Sequence, residues 1–425
     1  MSNSLMRMLM SVIRKLKPVL IWIFPIEWLR KIKQLITKKS IERGIADAKW
    51  TFLRSKNPDG INYIGFIQGE IGLGQSCRLI AAALDKSPID FTVFNFEQIS
   101  AMRHNDHSWD HKITNKTPYN INLFHLNPPE LALAYLTMDE DTWKDKYNIA
   151  FWLWELEEFP TEWLPSLALV DEIWTPADFV TDNFRKVTDK PVLTIPYPVS
   201  APTSDAFDRT YFGLPQERFL FLTMYDCNST IERKNPLGSI EAFKRAFDKD
   251  DPNVGLVIKV NNPQQKDIDR IKEIIEGYSN VFLIAKTISK VEVNSLIRCC
   301  DVYVSLHRAE GYGLPMAEAM VLGRVVIGTN WSANTEFMNH SNSCLVDFTI
   351  VELQEDYVMY KKGSHWAQPD VDQASQYMIR CVSDKDYYSN LARSAKEHMA
   401  TFNSVDIAAQ RIHQRILEIY NKEER

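Results

Sequence analysis

Two successive series of short apolar segments, separated by polar-faced helical stretches, constrain this chain most. The first series is Ile61–Ile67, Phe91–Phe96, Asn120–His125, Asn148–Leu153, Glu172–Thr175 and Val192–Ile195. The second is Phe219–Thr223, Val254–Lys259, Val281–Ile284, Val302–Ser305 and Val325–Ile327. Stretches such as Ser76–Leu84, Pro236–Phe247 and Gln265–Gly277 carry the helical pattern between them. Such alternation predicts parallel sheets covered by helices on both faces. A Pro/Ser-rich segment, Tyr197–Ser204, separates the two series and reads as a linker. The expected fold class is therefore α/β, with two Rossmann-like doubly wound domains over residues 58–200 and 205–400 facing a central cleft. At 425 residues the chain exceeds what one hydrophobic core organises. Ligands of such domains bind beyond the carboxyl ends of the strands. Tyr387–Lys422 reads as helical, and residues 401–425 as a helix able to cross back to the first domain.

Charge is distributed unevenly. Residues 1–43 hold ten Lys and Arg against two Glu, a net +8, which leaves −14 on the remainder of a chain whose total is −6. Between the basic clusters lies the apolar run Pro18–Trp28, interrupted by Pro25 and far shorter than the ~20 residues of a spanning helix. Basic flanks around Trp22 and Trp28 suit a segment lying in the headgroups of an anionic leaflet; packing on the protein's own body is the other reading. A signal peptide is disfavoured by the lack of a small-residue cleavage site. The acidic remainder argues against nucleic acid as a partner. Six scattered cysteines form neither a CxxC pair nor a disulfide framework, which fits a reducing cytosol. The expected location is the cytoplasmic face of a membrane, peripherally attached.

The chemistry concentrates in Val304–Met320. A strand ends near Ser305, a loop carries Glu310, Gly311, Tyr312, Gly313 and Leu314, and Pro315 suits the first turn of a helix. That helix start offers free N–H groups and a positive dipole end to a phosphate. Glu318, in the first turn, can accept hydrogen bonds from a diol such as ribose, and Glu310 can meet a second polyol or a developing positive charge. Two helix-start acids alone would be unremarkable; the glycines between them let the backbone approach a ligand.

Glu310-x7-Glu318 with Gly-Tyr-Gly-Leu-Pro between resembles the signature of retaining GT-B glycosyltransferases of family 4, the glycosyl transferases group 1. The likeness runs on through Gly323–Gly328 and, more loosely, over residues 61–400. It implies a GT-B fold and a metal-independent hexosyl transfer from a nucleotide-sugar donor to a lipid-linked or growing surface-polysaccharide acceptor. Glu310 would contact the donor sugar, Glu318 its ribose, and the amides of Gly311, Tyr312, Gly313 and Leu314 sugar and phosphate. Asp226–Pro236 resembles the family's basic phosphate-binding turn, making Lys234 the residue for the donor diphosphate. The family's arginine is usually several residues from its lysine, whereas Arg233 and Lys234 are adjacent, and neighbours at a helix start point in different directions. Lys259, at a strand end, is read as the second cation, or else as a solvent-facing lysine.

In the first domain Gly69–Gly74 joins strand to helix without the G-x-G-x-x-G order of a dinucleotide fingerprint. By resemblance its Gly72 and Gly74 close over the donor diphosphate. His125, at a strand end, matches the position of an active-site histidine near the sugar, and His307 is a second candidate. Each could equally be a structural histidine. Phe151–Pro160, aromatic and acidic, reads first as domain packing and otherwise as a stacking surface. Ser332–Glu336 stands where the family often has a glycine pair, and Ala333 is expected to restrict the backbone there. Asp139-Glu-Asp141 lies in a helical-looking stretch and is not a metal-holding DxD, so no metal or other cofactor is expected. Two alternatives remain: a non-hydrolysing nucleotide-sugar epimerase, and a non-catalytic glycan-binding scaffold of the same fold.

Overall fold

The computed structural model describes residues 50–97, 103–357 and 359–423. The basic segment 1–43 and its proposed membrane contact lie outside them. The first domain runs β1 (Ile61–Gly65), α1 (Gly72–Lys86), β2 (Phe91–Asn95), β3 (Ile121–His125), α2 (Pro128–Thr137), β4 (Tyr147–Phe151), β5 (Glu172–Thr175), α3 (Asp178–Arg185) and β6 (Val192–Thr194). Its six parallel strands are ordered β2-β1-β3-β4-β5-β6. A buried asparagine ladder crosses three of them. Asn62 donates to Asn122 at 2.9 Å and Asn122 to Asn148 at 2.8 Å, which fixes their register because a one-residue slip would bury these amides without partners. Trp143, stacked on Phe124 at 4.3 Å, fills the core beside the ladder.

The second domain opens with β7 (Phe219–Asp226), the single turn α4 (Ile231–Lys234) and α5 (Pro236–Ala246). It continues through β8 (Val254–Asn261), α6 (Gln265–Ile274), β9 (Val281–Ala285), α7 (Lys290–Cys299), β10 (Val302–Ser305), α8 (Leu314–Val321) and β11 (Val325–Thr329). Three short strands that the sequence pattern did not predict follow: β12 (Cys344–Val346) closes the sheet, while β13 (Phe348–Glu352) and β14 (His365–Pro369) form an antiparallel hairpin. The sheet order is β12-β11-β10-β7-β8-β9, parallel throughout. In both sheets the order reverses beside the first strand, so a crevice opens at the carboxyl ends of β1/β3 and of β7/β10. Together the two sheets make the GT-B architecture.

The chain ends in α9 (Val371–Ser383), α10 (Lys385–Phe402) and α11 (Val405–Glu423). The helical stretch Tyr387–Lys422 falls in two helices, α10 and α11, broken at Asn403–Ser404. Glu140–Thr142, within the stretch expected to be helical, is only a 3-10 turn. α11 returns to the first domain. There Arg415 holds the fully buried Glu172 of β5 by two contacts, 2.8 and 2.6 Å. Tyr420 also bridges the Gly60 amide, at 3.1 Å, and the Asn120 side chain, at 2.8 Å.

Breaking a buried ion pair on one side strands a charge. Arg415→Ala is expected to destabilise the protein by about 3–5 kcal/mol in urea unfolding, whereas the paired change Arg415→Met with Glu172→Leu should cost far less.

Candidate active site

The loop leaving β10 and the turn leaving β7 meet at the crevice of the second sheet. Asn235, in left-handed conformation at φ 48°, ends α4 and starts α5, and its amide donates to Leu306 O at 2.8 Å. The Arg308 amide donates to Arg233 O at 2.7 Å, and its guanidinium reaches Glu232 O at 2.8 Å. These bonds stitch the basic turn to the acidic loop.

Both Arg233 and Lys234 consequently reach one carboxylate oxygen. Lys234 Nζ contacts Glu310 Oε1, and Arg233 Nη1 lies 3.3 Å from the same atom. The expectation that adjacent residues would diverge fails because α4 is one turn only, tucked under the loop. The Arg233 guanidinium also donates to Ala309 O at 2.7 Å and to Ser229 Oγ at 3.1 Å. Burial alone would raise the Glu310 carboxyl, but Lys234 and then Arg233 outweigh it and hold it at about 2. Burial pulls the Lys234 ammonium below the ordinary lysine value, with Glu310 opposing.

Glu310's backbone is held as firmly as its side chain. Its amide donates to Ser332 Oγ at 2.9 Å, and its carbonyl accepts from the Ala333 amide at 3.3 Å. Ser332, not Ala333, takes the unusual conformation in that loop, at φ 72° and ψ −158°, a region costly for any residue with a side chain. Gly313 caps α8 at φ 93°, and a Cβ there would fall 2.4 Å from Met316 Cε. Leu314 opens α8, and Pro315 sits in its first turn. Tyr312 turns inward, its hydroxyl donating to Asn403 at 3.3 Å at the break between α10 and α11. Its ring meets Tyr197 of the first domain edge-on at 4.8 Å.

Glu318 is fully buried, and Lys290 Nζ lies 2.5 Å from its Oε1. Burial raises the Glu318 carboxyl, with Lys290 opposing. Lys259 is placed elsewhere. Its ammonium turns along its own strand to Asn261 Oδ1 at 2.5 Å, and burial lowers it to about 8. The charged groups that act on it are Asp226, Lys286 and Glu292, so the second cation beside Lys234 is Arg233.

The histidines are internal. Tyr63 donates to Cys77 O, so its hydroxyl accepts from His125 Nδ1–H at 2.8 Å, leaving Nε2 to accept from Ser76 at 2.5 Å. Tyr197 contacts the same Ser76 hydroxyl. Burial drives His125 down to about 3, and no described contact joins it to Glu310 or Lys234. The expected catalytic position of His125 is thus that of a neutral histidine tying α1 to β3. His307 is likewise buried, between Ser305 and Asn334 at 3.1 and 3.0 Å. Gly72 and Gly74 form the first turn of α1, and a Cβ on Gly74 would strike Gly69 O at 2.0 Å.

Two site residues were missed by sequence reasoning. Glu155, in the loop after β4, stands 3.9 Å from Arg233 Nη2. A Cβ on Gly311 would lie 3.7 Å from its Cγ. In Tyr360, between β13 and β14, burial and then the nearby Glu155 raise the phenol, and its ring packs on Trp154 at 5.5 Å. The aromatic-acidic run Phe151–Pro160 was the available signal, and its partners come from a hairpin the pattern did not reveal. Among the described residues, no group of three or more His, Cys, Asp or Glu is arranged to hold a metal ion.

Residues 227–398 match the family model described as glycosyl transferases group 1. No curated protein sequence matches the chain. Among solved structures, it is similar to HepE of Anabaena in complex with UDP-glucose, at 13% identity and TM-score 0.62, covering 86% of this chain and 100% of that one. Sucrose-phosphate synthase of Thermosynechococcus elongatus has 11% identity and TM-score 0.62 over 85% and 100%. A glycosyltransferase of Rickettsia africae has 12% and 0.60 over 85% and 99%. The chain is therefore a GT-B protein. Residues 227–398, in its second domain, are similar to the glycosyl transferases group 1 family.

Acid should reveal the two buried sites. A histidine held near 3 instead of the ordinary 6.5 leaves the unfolded chain binding the proton first, so its contribution is lost as pH falls from about 6.5. Glu310, held at about 2 against 4.5, adds a second loss below about pH 4.5. Urea unfolding at pH 7 and pH 5 should differ by on the order of 1–2 kcal/mol through His125, and His125→Gln should flatten that interval.

Proposed function

We propose that this protein transfers a hexosyl unit from a nucleotide sugar to a hydroxyl of a lipid-linked or growing surface-polysaccharide acceptor, with retention at the anomeric carbon. The observation that carries this reading is the Lys234–Glu310–Arg233 cluster beside the start of α8, at the crevice of the second sheet. Lys234, Arg233 and the α8 amides face the diphosphate, whose negative charge grows as it leaves. The bond from the anomeric carbon to the diphosphate oxygen breaks, and the acceptor oxygen bonds to that carbon on the same face. The acceptor's proton passes to the departing phosphate.

Glu310 stays ionised at neutral pH, so it cannot act as a general acid. Pinned by two cations, it suits accepting hydroxyls of the donor sugar rather than attacking carbon. Glu318 accepts from the donor ribose. Glu155 and Tyr360 face the reacting sugar from the acceptor side. No resident metal is assigned to this reaction. The basic arm 1–43 attaches the enzyme to an anionic leaflet, bringing it to its acceptor.

A thermal-shift screen with UDP-, GDP- and dTDP-sugars tests the donor class, since a true donor raises the melting temperature by mass action. With the sugar so found, Lys234→Ala should lower turnover on the order of 100-fold, and unchanged turnover would remove Lys234 from the site. Deleting residues 1–43 should abolish sedimentation with anionic vesicles while preserving donor binding; retention on the vesicles would refute the anchor.

A further inference from the structure

Glu318 presents an unusual combination. It is 0% exposed on α8, among Met316, Ala317 and Met320, yet it is an acid. Lys290, the first residue of α7, reaches it from a side chain 31% exposed. The capping box of Ser289 and Glu292 fixes the backbone from which Lys290 projects. Lys290 Nζ forms an ion pair with Oε1 at 2.5 Å, yet neither carboxylate oxygen, Oε2 least of all, has a well-aligned hydrogen bond among the described residues. The other titratable group sensing Glu318 is the buried Tyr303 phenol of β10.

A buried pair of this kind is a poor stabiliser, because desolvation consumes much of the attraction and an apolar pair of equal volume would serve as well. A buried carboxylate oxygen without a donor is costly in its own right. Both costs make sense if a ligand supplies the missing donors. We infer that Lys290 is a positioning residue: its ammonium holds the Glu318 carboxylate through Oε1, leaving Oε2 for the vicinal hydroxyls of the donor's ribose. This rests on the nucleotide-sugar reading above and deepens it, since it assigns ribose recognition to a pair drawn from α7 and α8. A fully buried acid without its cation takes up a proton more readily, and the protonated form accepts hydroxyl hydrogens poorly.

The test compares binding of UDP and GDP with their 2′,3′-dideoxy counterparts by calorimetry between pH 6 and 9. The ratio cancels titration of the phosphate. The wild-type protein should prefer the ribose form of the bound diphosphate by about tenfold or more. Lys290→Met should collapse that preference at pH 7 and recover part of it as pH rises, while Lys290→Arg should retain it. If the Met variant fails to fold, Lys290→Gln must show the same collapse. A ribose preference unchanged by loss of the ammonium overturns the proposal, as does a wild-type protein that binds a diphosphate without ribose preference; in both cases the nucleotide reading survives. Absence of any diphosphate binding overturns both.

Discussion

One buried carboxylate shared by two cations organises this site. Burial alone would raise the Glu310 carboxyl, and Lys234 and Arg233 hold it low. Those side chains converge only because α4 is a single turn ended by the left-handed Asn235. Asn235 in turn is tied to Leu306, and Arg308 to the backbone of α4, so the basic turn and the acidic loop move as one piece. Ser332 completes the arrangement from β11, holding a strained backbone to place its hydroxyl on the Glu310 amide. The geometry of this candidate site is a property of the loops, and the parallel sheet supplies the frame on which they register.

The strands of both sheets other than β12 were readable because each is a short, largely apolar run bounded by turn residues. The Glu310 loop was readable because glycines and a proline between two acids have few uses apart from holding a ligand at a helix start. What escaped had tertiary causes. β12 follows β11 with only a 3-10 turn between them, outside the strand–helix alternation, and β13 exposes Thr349 and Ile350 side by side, which obscures its alternation. Lys259 carried the right charge at a strand end, but its side chain follows the strand instead of the crevice. His125 carried the right residue type, and only the structure shows both ring nitrogens already engaged. Glu155, Tyr360 and Lys290 gain their meaning from neighbours many residues away.

The hairpin β13–β14 gives the second domain a long reach. His365 meets Glu158 at 2.6 Å, Tyr360 meets Trp154 and Glu155, and Trp366 lies under the Arg308 guanidinium at 5.3 Å. It therefore touches both the loop leaving β10 and the aromatic loop of the first domain. Phe179 and Glu336 make a further bridge, at 3.1 Å, between α3 and the loop that carries Ser332. Every segment supporting Glu310 is thus in touch with the opposite half of the molecule.

Arg233 divides its charge between an acid of its own domain and Glu155 of the other. Were the halves to swing apart, Glu155 would withdraw and the floor of the groove would become more cationic. A gaping molecule would then attract a polyanion most strongly, and a shut one would grip it with its charges nearly balanced. Arrival and departure of such a polyanion would thereby favour opposite arrangements of the two halves.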